Sequence, residues 1–260
     1  MSRRLLKDKE LFLFDLDGVF YKGKESRVKI GGTAAVEAIR SRGKRLYILT
    51  NNSTDSAKTV WGRLVEFDIT VREDEVLTSG LLTAEYLKDR YGRVTYYLVG
   101  EEGLEEELNG RGHRRTSGES CDVVVVGLDR RVTYDKLDRA ARLVRNGAKL
   151  VATHSSRLYA YTTGPAMATG PLVKAIEYAS RRRATTVGKP SPLMFEVALK
   201  RAGIGRAGAV MVGDQLDTDI EGAARAGIDS ILVTSGVDRY PSGHKVLATL
   251  DNVDRIVPLL

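Results

Sequence analysis

Leu11-Phe12-Leu13-Phe14-Asp15-Leu16-Asp17-Gly18 joins an uninterrupted apolar run to two carboxylates, and this junction decides the fold. Four consecutive apolar residues suit a strand buried on both faces of a parallel sheet. In open α/β sheets the ligand crevice lies beyond the carboxyl ends of the strands, so acids arriving there face it. Extended i, i+2 spacing sends Asp15 and Asp17 to the same side, and Gly18 permits a tight exit. Alone, Asp-x-Asp-Gly is equally a polar turn after a strand. A calcium loop is excluded, because it needs oxygens at positions 5 and 12 and Gly at 6. Those positions hold Val19, Ser26 and Phe20.

Outward from this strand the pattern repeats. A helix is expected over 33–41 with Ala35, Val36 and Ile39 inward and Gly43 beyond its end. A second buried strand over 44–50 ends in Thr50-Asn51-Asn52-Ser53-Thr54. That polar cluster suits an oxyanion site or the N-cap of a helix over 55–67, and both readings stand. From about residue 78 to 183 the chain builds a separate α/β module of roughly 100 residues, an ordinary domain size. Helices are expected over 82–91, 102–108, 134–146 and 172–182, strands over 94–99, 123–126 and 150–152, and a loop over 162–171, which is rich in Gly, Pro and Thr. The first pattern then returns. Gly188-Lys189-Pro190 leads into a helix with Ser191 as N-cap and Pro192 at its first position. The strand over 209–212 ends in Gly213-Asp214-Gln215-Leu216-Asp217-Thr218-Asp219, and 231–233 supplies one more strand. The expected architecture is α/β, a doubly wound Rossmann-like parallel-sheet core with an inserted α/β domain. The core takes 1–78 and 184–260, and the insert 79–183.

Composition narrows the function. With 42% hydrophobic and 29% charged residues, the 260-residue chain is an ordinary globular protein. No apolar run approaches the ~20 residues of a membrane span, and charges interrupt any signal-like stretch in residues 1–9, so a cytoplasmic protein with no membrane partner is expected. Cys121, the single cysteine, precedes an apolar run and reads as a small buried side chain. The net charge of +7 admits nucleic acid or an anionic small molecule. Its basic residues are spread out, and even Arg181-Arg182-Arg183 reads as a solvated helix end, so nucleic acid is not expected. His113, His154 and His244 lack zinc-like spacing.

Four clusters therefore stand at strand ends or adjoining loops: Asp15/Asp17, Thr50/Asn51, Lys189 and Asp214/Asp219. Converging carboxylates without His or Cys suit a hard cation, Mg²⁺ with several waters. A lysine and a threonine beside it suit a phosphoryl group, and an aspartate can be the nucleophile.

These motifs, in this order, resemble those of haloacid dehalogenase superfamily phosphatases, and the insert between the second and third resembles the type II cap of the NagD and p-nitrophenyl phosphatase-like subgroup. Asp15-Leu16-Asp17-Gly18-Val19 resembles the first motif, Leu49-Thr50-Asn51-Asn52-Ser53 the second, Gly188-Lys189-Pro190 the third, and Gly213-Asp214 with Asp219 the fourth. Val126-Gly127-Leu128-Asp129, Tyr134, Asn146-Gly147-Ala148 and Val151-Ala152-Thr153 resemble the cap. The resemblance implies a Mg²⁺-dependent hydrolase of small phosphorylated metabolites, for which a homodimer is admissible. Asp15 would be the nucleophile and Asp17 the acid and base. The Asp15 carboxylate, the Asp17 carbonyl and Asp214 would hold metal, and Thr50, Asn51 and Lys189 would bind phosphate. Asp219, in preference to Asp217, would orient Lys189 or a metal-bound water. The cap departs from the family in reading Thr153-His154-Ser155-Ser156 where Thr-Asn-x-Asp is usual, which makes His154, Ser155 and Ser156 candidates for specificity within a reading loop over 154–170. A signalling phosphoacceptor is the alternative, although it needs neither Asp17 nor the cap; a basic binding protein would leave the carboxylates unexplained.

Overall fold

The Leu11–Phe14 strand is buried on both faces, with every side chain 0% exposed. Burying a side chain of this size contributes about 1.5–3 kcal/mol, so the run anchors the sheet around it. The structure, a computed structural model, describes residues 5–22, 28–161 and 164–260. In the six-stranded sheet the order is Ala248–Leu250, Asp229–Val233, Ala209–Gly213, Leu11–Phe14, Arg45–Thr50 and Val76–Thr78. From Ala248–Leu250 to Arg45–Thr50 the neighbours pair parallel. The sequence order reverses at Leu11–Phe14, which is therefore the topological switch point where such sheets open a crevice.

Helix Thr33–Ser41 follows the expected span and buries Ala35, Val36 and Ile39. Its N-cap, Gly32, has no side chain to offer. The Asp254 carboxylate substitutes, accepting the Gly32 and Ala35 N–H groups at 3.0 and 2.9 Å, so a residue near the chain end caps this helix. Helix Pro192–Ala202 starts as the sequence requires, with the Ser191 hydroxyl accepting the Leu193 N–H and Pro192 in the first turn.

The chain divides into two compact units, 1–50 with 60–77 and 189–260, and 51–59 with 78–188. The sequence places the cuts after 78 and 183; the structure adds 51–59, Thr78 and 184–188 to the second unit. Side chains far apart in sequence stitch the short piece in. The buried Glu107 carboxylate accepts the Ala57 N–H at 2.7 Å. The Ser53 hydroxyl accepts the Leu128 N–H at 3.2 Å. At Gly103 a Cβ would stand 2.5 Å from the Asp55 Cα.

The second unit has its own parallel sheet, in the order Thr185–Thr186, Lys149–Ala152, Val123–Val126, Thr95–Val99 and Arg114–Arg115. Helices Tyr134–Arg145 and Thr169–Ser180 pack on it through Ala140, Val144, Leu172 and Ile176. The loop expected over 162–171 is a correction. Residues 164–167 form the second strand of an antiparallel hairpin with Leu158–Tyr161, and the next helix begins at Thr169. Thr162 and Thr163 lie outside the described residues. Pro165 made this stretch read as loop, yet a proline is tolerated in a hairpin where its missing N–H faces no partner strand.

His113 is buried, its Nδ1 accepting the Val94 N–H and its Nε2 facing the Ala84 carbonyl, and burial lowers its pKa. Cys121 is half-buried, and burial pushes its thiol up, which leaves little thiolate. Arg181, Arg182 and Arg183 are exposed, as a solvated helix end should be. Among the described residues no helix is long and apolar enough to cross a membrane.

Candidate active site

Strand register places the sequence-predicted residues of the first unit at one sheet edge. Phe14 pairs with Ile48 on one side and Val212 on the other. Asp15 continues the ladder by donating its N–H to the Val212 carbonyl at 2.9 Å. Thr50 and Asp214 each lie two residues past those partners, and both are buried.

Lys189 enters this edge from the turn before helix Pro192–Ala202 and is only 1% exposed. Its Nζ donates to Asp15 Oδ1 at 2.5 Å and to Asp219 Oδ1 at 2.7 Å. A surface lysine is thereby excluded. The other Asp219 oxygen accepts the Asp214 and Gln215 N–H groups, both at 3.1 Å. The π-helical turn Leu216–Ile220 turns Asp219 inward and leaves Asp217 exposed. Asp219, and not Asp217, is thus the acid hydrogen-bonded to Lys189. Gly213 makes this approach sterically feasible, since a Cβ there would stand 2.3 Å from Asp219 Oδ2.

Asp15, Asp214 and Asp219 present carboxylate oxygens within 4.8 Å of one another. Burial raises the pKa of Asp15, against the opposing pull of Lys189. Burial, with the charges of Asp15 and Asp219, raises Asp214 well above its ordinary value. Asp219 is pushed up to about 6 by burial and by Asp15, again opposed by Lys189. For Lys189 burial acts downward, but Asp15 and Asp219 outweigh it and hold the ammonium charged. Three carboxylates facing one ammonium leave two uncompensated negative charges when all are ionised, and a divalent cation matches that deficit. The donor set is all oxygen, which suits a hard ion. Asp214 Oδ1 is buried and lacks a hydrogen-bond partner, as an atom reserved for a ligand would. The residues present therefore fit Mg²⁺. The Asp17 carboxylate is half-buried and lies outside this cluster. Gly18 makes the tight exit expected from sequence, with a left-handed φ of +84°.

In the second unit, Asn51 Nδ2 donates to the Ser156 hydroxyl at 3.3 Å. Ser79 Oγ holds the Asn51 backbone, donating to its carbonyl at 2.9 Å. His154 is 6% exposed, so it is no solvent-facing loop histidine. Its Nδ1 accepts the Ser156 N–H at 3.3 Å, which leaves Nε2–H to donate to the Thr169 hydroxyl at 2.9 Å. The ring thus shapes the turn that carries Ser156, while Ser155 is exposed. Gly170 packs against this turn, its N–H donating to the Ser156 carbonyl at 2.9 Å.

Sequence reasoning missed the segment 234–238, which surrounds Asp214. Val237 N–H donates to Asp214 Oδ2 at 2.8 Å and Asp238 N–H to the Asp214 carbonyl at 3.0 Å. Thr234-Ser235-Gly236 is a small polar cluster directly after a buried strand, the same signal that identified the other motifs.

Residues 12–114 match a family of haloacid dehalogenase-like hydrolases, and residues 186–256 match a second family described as HAD-hydrolase-like. An acid sugar phosphatase of Staphylococcus epidermidis is 34% identical over 236 residues, covering 90% of each chain. A 5′-nucleotidase of Bacillus subtilis is 32% identical over 228 residues, covering 88% of each. The crystal structure of a 4-nitrophenylphosphatase from Thermotoga maritima superposes with a TM-score of 0.90 at 32% identity, covering 97% of this chain and 98% of the other.

Proposed function

Because this chain belongs to the haloacid dehalogenase-like hydrolases and is a phosphatase, we propose that it hydrolyses small organic phosphate monoesters with Mg²⁺ through an aspartyl phosphate on Asp15. The phosphoacceptor and non-catalytic alternatives fall away with that family membership. The observation that carries the proposal is the buried Asp15–Lys189–Asp219 arrangement beside the unsatisfied Asp214 Oδ1.

In the proposed reaction an Asp15 oxygen attacks phosphorus while the bond to the leaving oxygen breaks. Asp17 gives that oxygen a proton. Asp17 then takes a proton from a water that attacks the aspartyl phosphate, releasing inorganic phosphate and restoring Asp15. Asp15 and Asp17 need opposite protonation at the first step, and their surroundings differ: Asp15 is buried against Lys189, Asp17 half-buried. Lys189, held in place by Asp219, stabilises charge on the transferring oxygens, with Thr50 and Asn51 as further donors. The Asp15 and Asp214 carboxylates and the Asp17 carbonyl would hold Mg²⁺. When bound, the ion neutralises phosphoryl charge and orients it for in-line attack.

The second unit is proposed as the cap and the reader of the leaving group. The departure from the family pattern at His154-Ser155-Ser156 supports this, and the Ser156–Asn51 hydrogen bond holds that turn within the second unit. His154, with both ring nitrogens engaged, acts there by positioning Ser156. Relatives named acid sugar phosphatase and 5′-nucleotidase make sugar phosphates and nucleoside monophosphates the first candidates. Hydrolysis of p-nitrophenyl phosphate and of a panel of both classes should require Mg²⁺ and cease with chelator. Ser155→Ala/Ser156→Ala should re-rank the panel while p-nitrophenyl phosphate hydrolysis changes only a few-fold. Full activity in chelator would remove the metal from the proposal, and an unchanged ranking would remove the turn from it.

A further inference from the structure

We propose that residues 235–238 are a positioning clamp for the cation site, an inference that rests on the Mg²⁺ chemistry proposed above. The segment grips both sides of that site. On one side Val237 N–H fixes Asp214 Oδ2 at 2.8 Å, which leaves Oδ1, the buried atom without a partner, as the oxygen presented to a cation. Asp238 N–H bonds the Asp214 carbonyl at 3.0 Å, and its carboxylate accepts the Leu216 N–H at 2.7 Å, so both ends of the Asp214 peptide region are held. On the other side Ser235 Oγ donates to the Gly18 carbonyl at 2.6 Å, which fixes the turn carrying the Asp17 carbonyl.

Contact this close requires glycine on both faces of Asp214. A Cβ at Gly236 would stand 1.8 Å from Asp214 Oδ2, and one at Gly18 would stand 2.3 Å from the same atom. The two demands differ in kind. Gly18 also has a left-handed backbone, whereas Gly236 does not, so glycine is required at 236 purely by the space that the carboxylate occupies. Any side chain at 236 must push the carboxylate or the Val237 N–H out of place. Outer groups that orient a metal ligand typically change metal affinity 10–100-fold when altered.

Mn²⁺ takes the same oxygen ligands as Mg²⁺ and is visible by electron paramagnetic resonance, so it reads the site without turnover. Titrating the full-length protein with Mn²⁺, we expect Gly236→Ala to raise Kd by about 10–100-fold. Ser235→Ala, which removes one hydrogen bond and adds no bulk, should raise it by about two- to tenfold. The exposed Tyr240→Ala on the following stretch serves as a control with unchanged Kd. Unfolding of the metal-free variants is followed in parallel, since a purely structural role would lower their Tm and leave Kd alone. If Gly236→Ala fails to fold, Ser235→Ala decides. Unchanged Kd in the folded variants overturns the clamp alone. A wild-type protein that does not bind Mn²⁺ overturns the metal proposal, and the clamp with it.

Discussion

Asp15→Asn is expected to lower kcat by at least about 10⁴-fold while leaving the protein folded. A neutral amide does not attack phosphorus, and loss of a nucleophile is among the largest single effects in enzymes. The fold should survive because Lys189 keeps its bond to Asp219 at 2.7 Å. Substitution also removes a charge that acts upward on the pKa of both Asp214 and Asp219, which relieves repulsion among the remaining acids. Steady-state kinetics with p-nitrophenyl phosphate, together with a thermal melt, separates this from misfolding. Near-normal turnover in a preparation free of host phosphatase would show that Asp15 is not the nucleophile.

Lys189→Ala is expected to reduce kcat/KM by about 10²–10³-fold, the typical effect of removing one strong oxyanion contact. Unlike Asp15→Asn, it should also destabilise the metal-free protein. The ammonium is the group that compensates Asp15 and Asp219 at 2.5 and 2.7 Å. Removing one partner of a buried ion pair leaves charge stranded and costs about 3–5 kcal/mol, partly relieved here if an acid takes up a proton. Chemical denaturation in chelator checks the stability effect, and kinetics at saturating Mg²⁺ checks the catalytic one. A fall of threefold or less in kcat/KM would deny Lys189 a role in phosphoryl transfer.

The sheet edge was legible because Asp15, Thr50 and Asp214 each follow or end a strand with buried apolar residues, and a parallel sheet sends the ends of such strands to the same side. Lys189 and Asp15 meet although 174 residues separate them; Lys189 ends no strand of this sheet, and its place here was foretold by the resemblance of Gly188-Lys189-Pro190 to a family motif. Sequence offered both Asp219 and Asp217, and which of them faces inward is set by the π-helical turn, which buries Asp219 and exposes Asp217. Other features depend on contacts that no local pattern encodes. Residues 51–59 join the second unit through Glu107 and Leu128, far along the chain. The need for glycine at 236 comes from a carboxylate 22 residues away, across a tertiary contact. His154 carried a polar, loop-like signature, yet burial against Thr169 makes it a support for its neighbours. The hairpin at 158–167 was hidden by Gly164 and Pro165, which punctuate loops more often than strands.

In the proposed reaction the phosphoryl group passes through Asp15. Asp17→Asn should slow hydrolysis of the intermediate more than its formation from an ester with a good leaving group, because water attack then lacks its base. Rapid acid quench of this variant with p-nitrophenyl phosphate and Mg²⁺, borohydride reduction and peptide mass spectrometry locate the acyl phosphate directly. The expected result is homoserine at position 15, absent without substrate and absent in the Asp15→Asn/Asp17→Asn double variant. Modification at another residue, or none at 15 while a product burst is observed, would contradict the account.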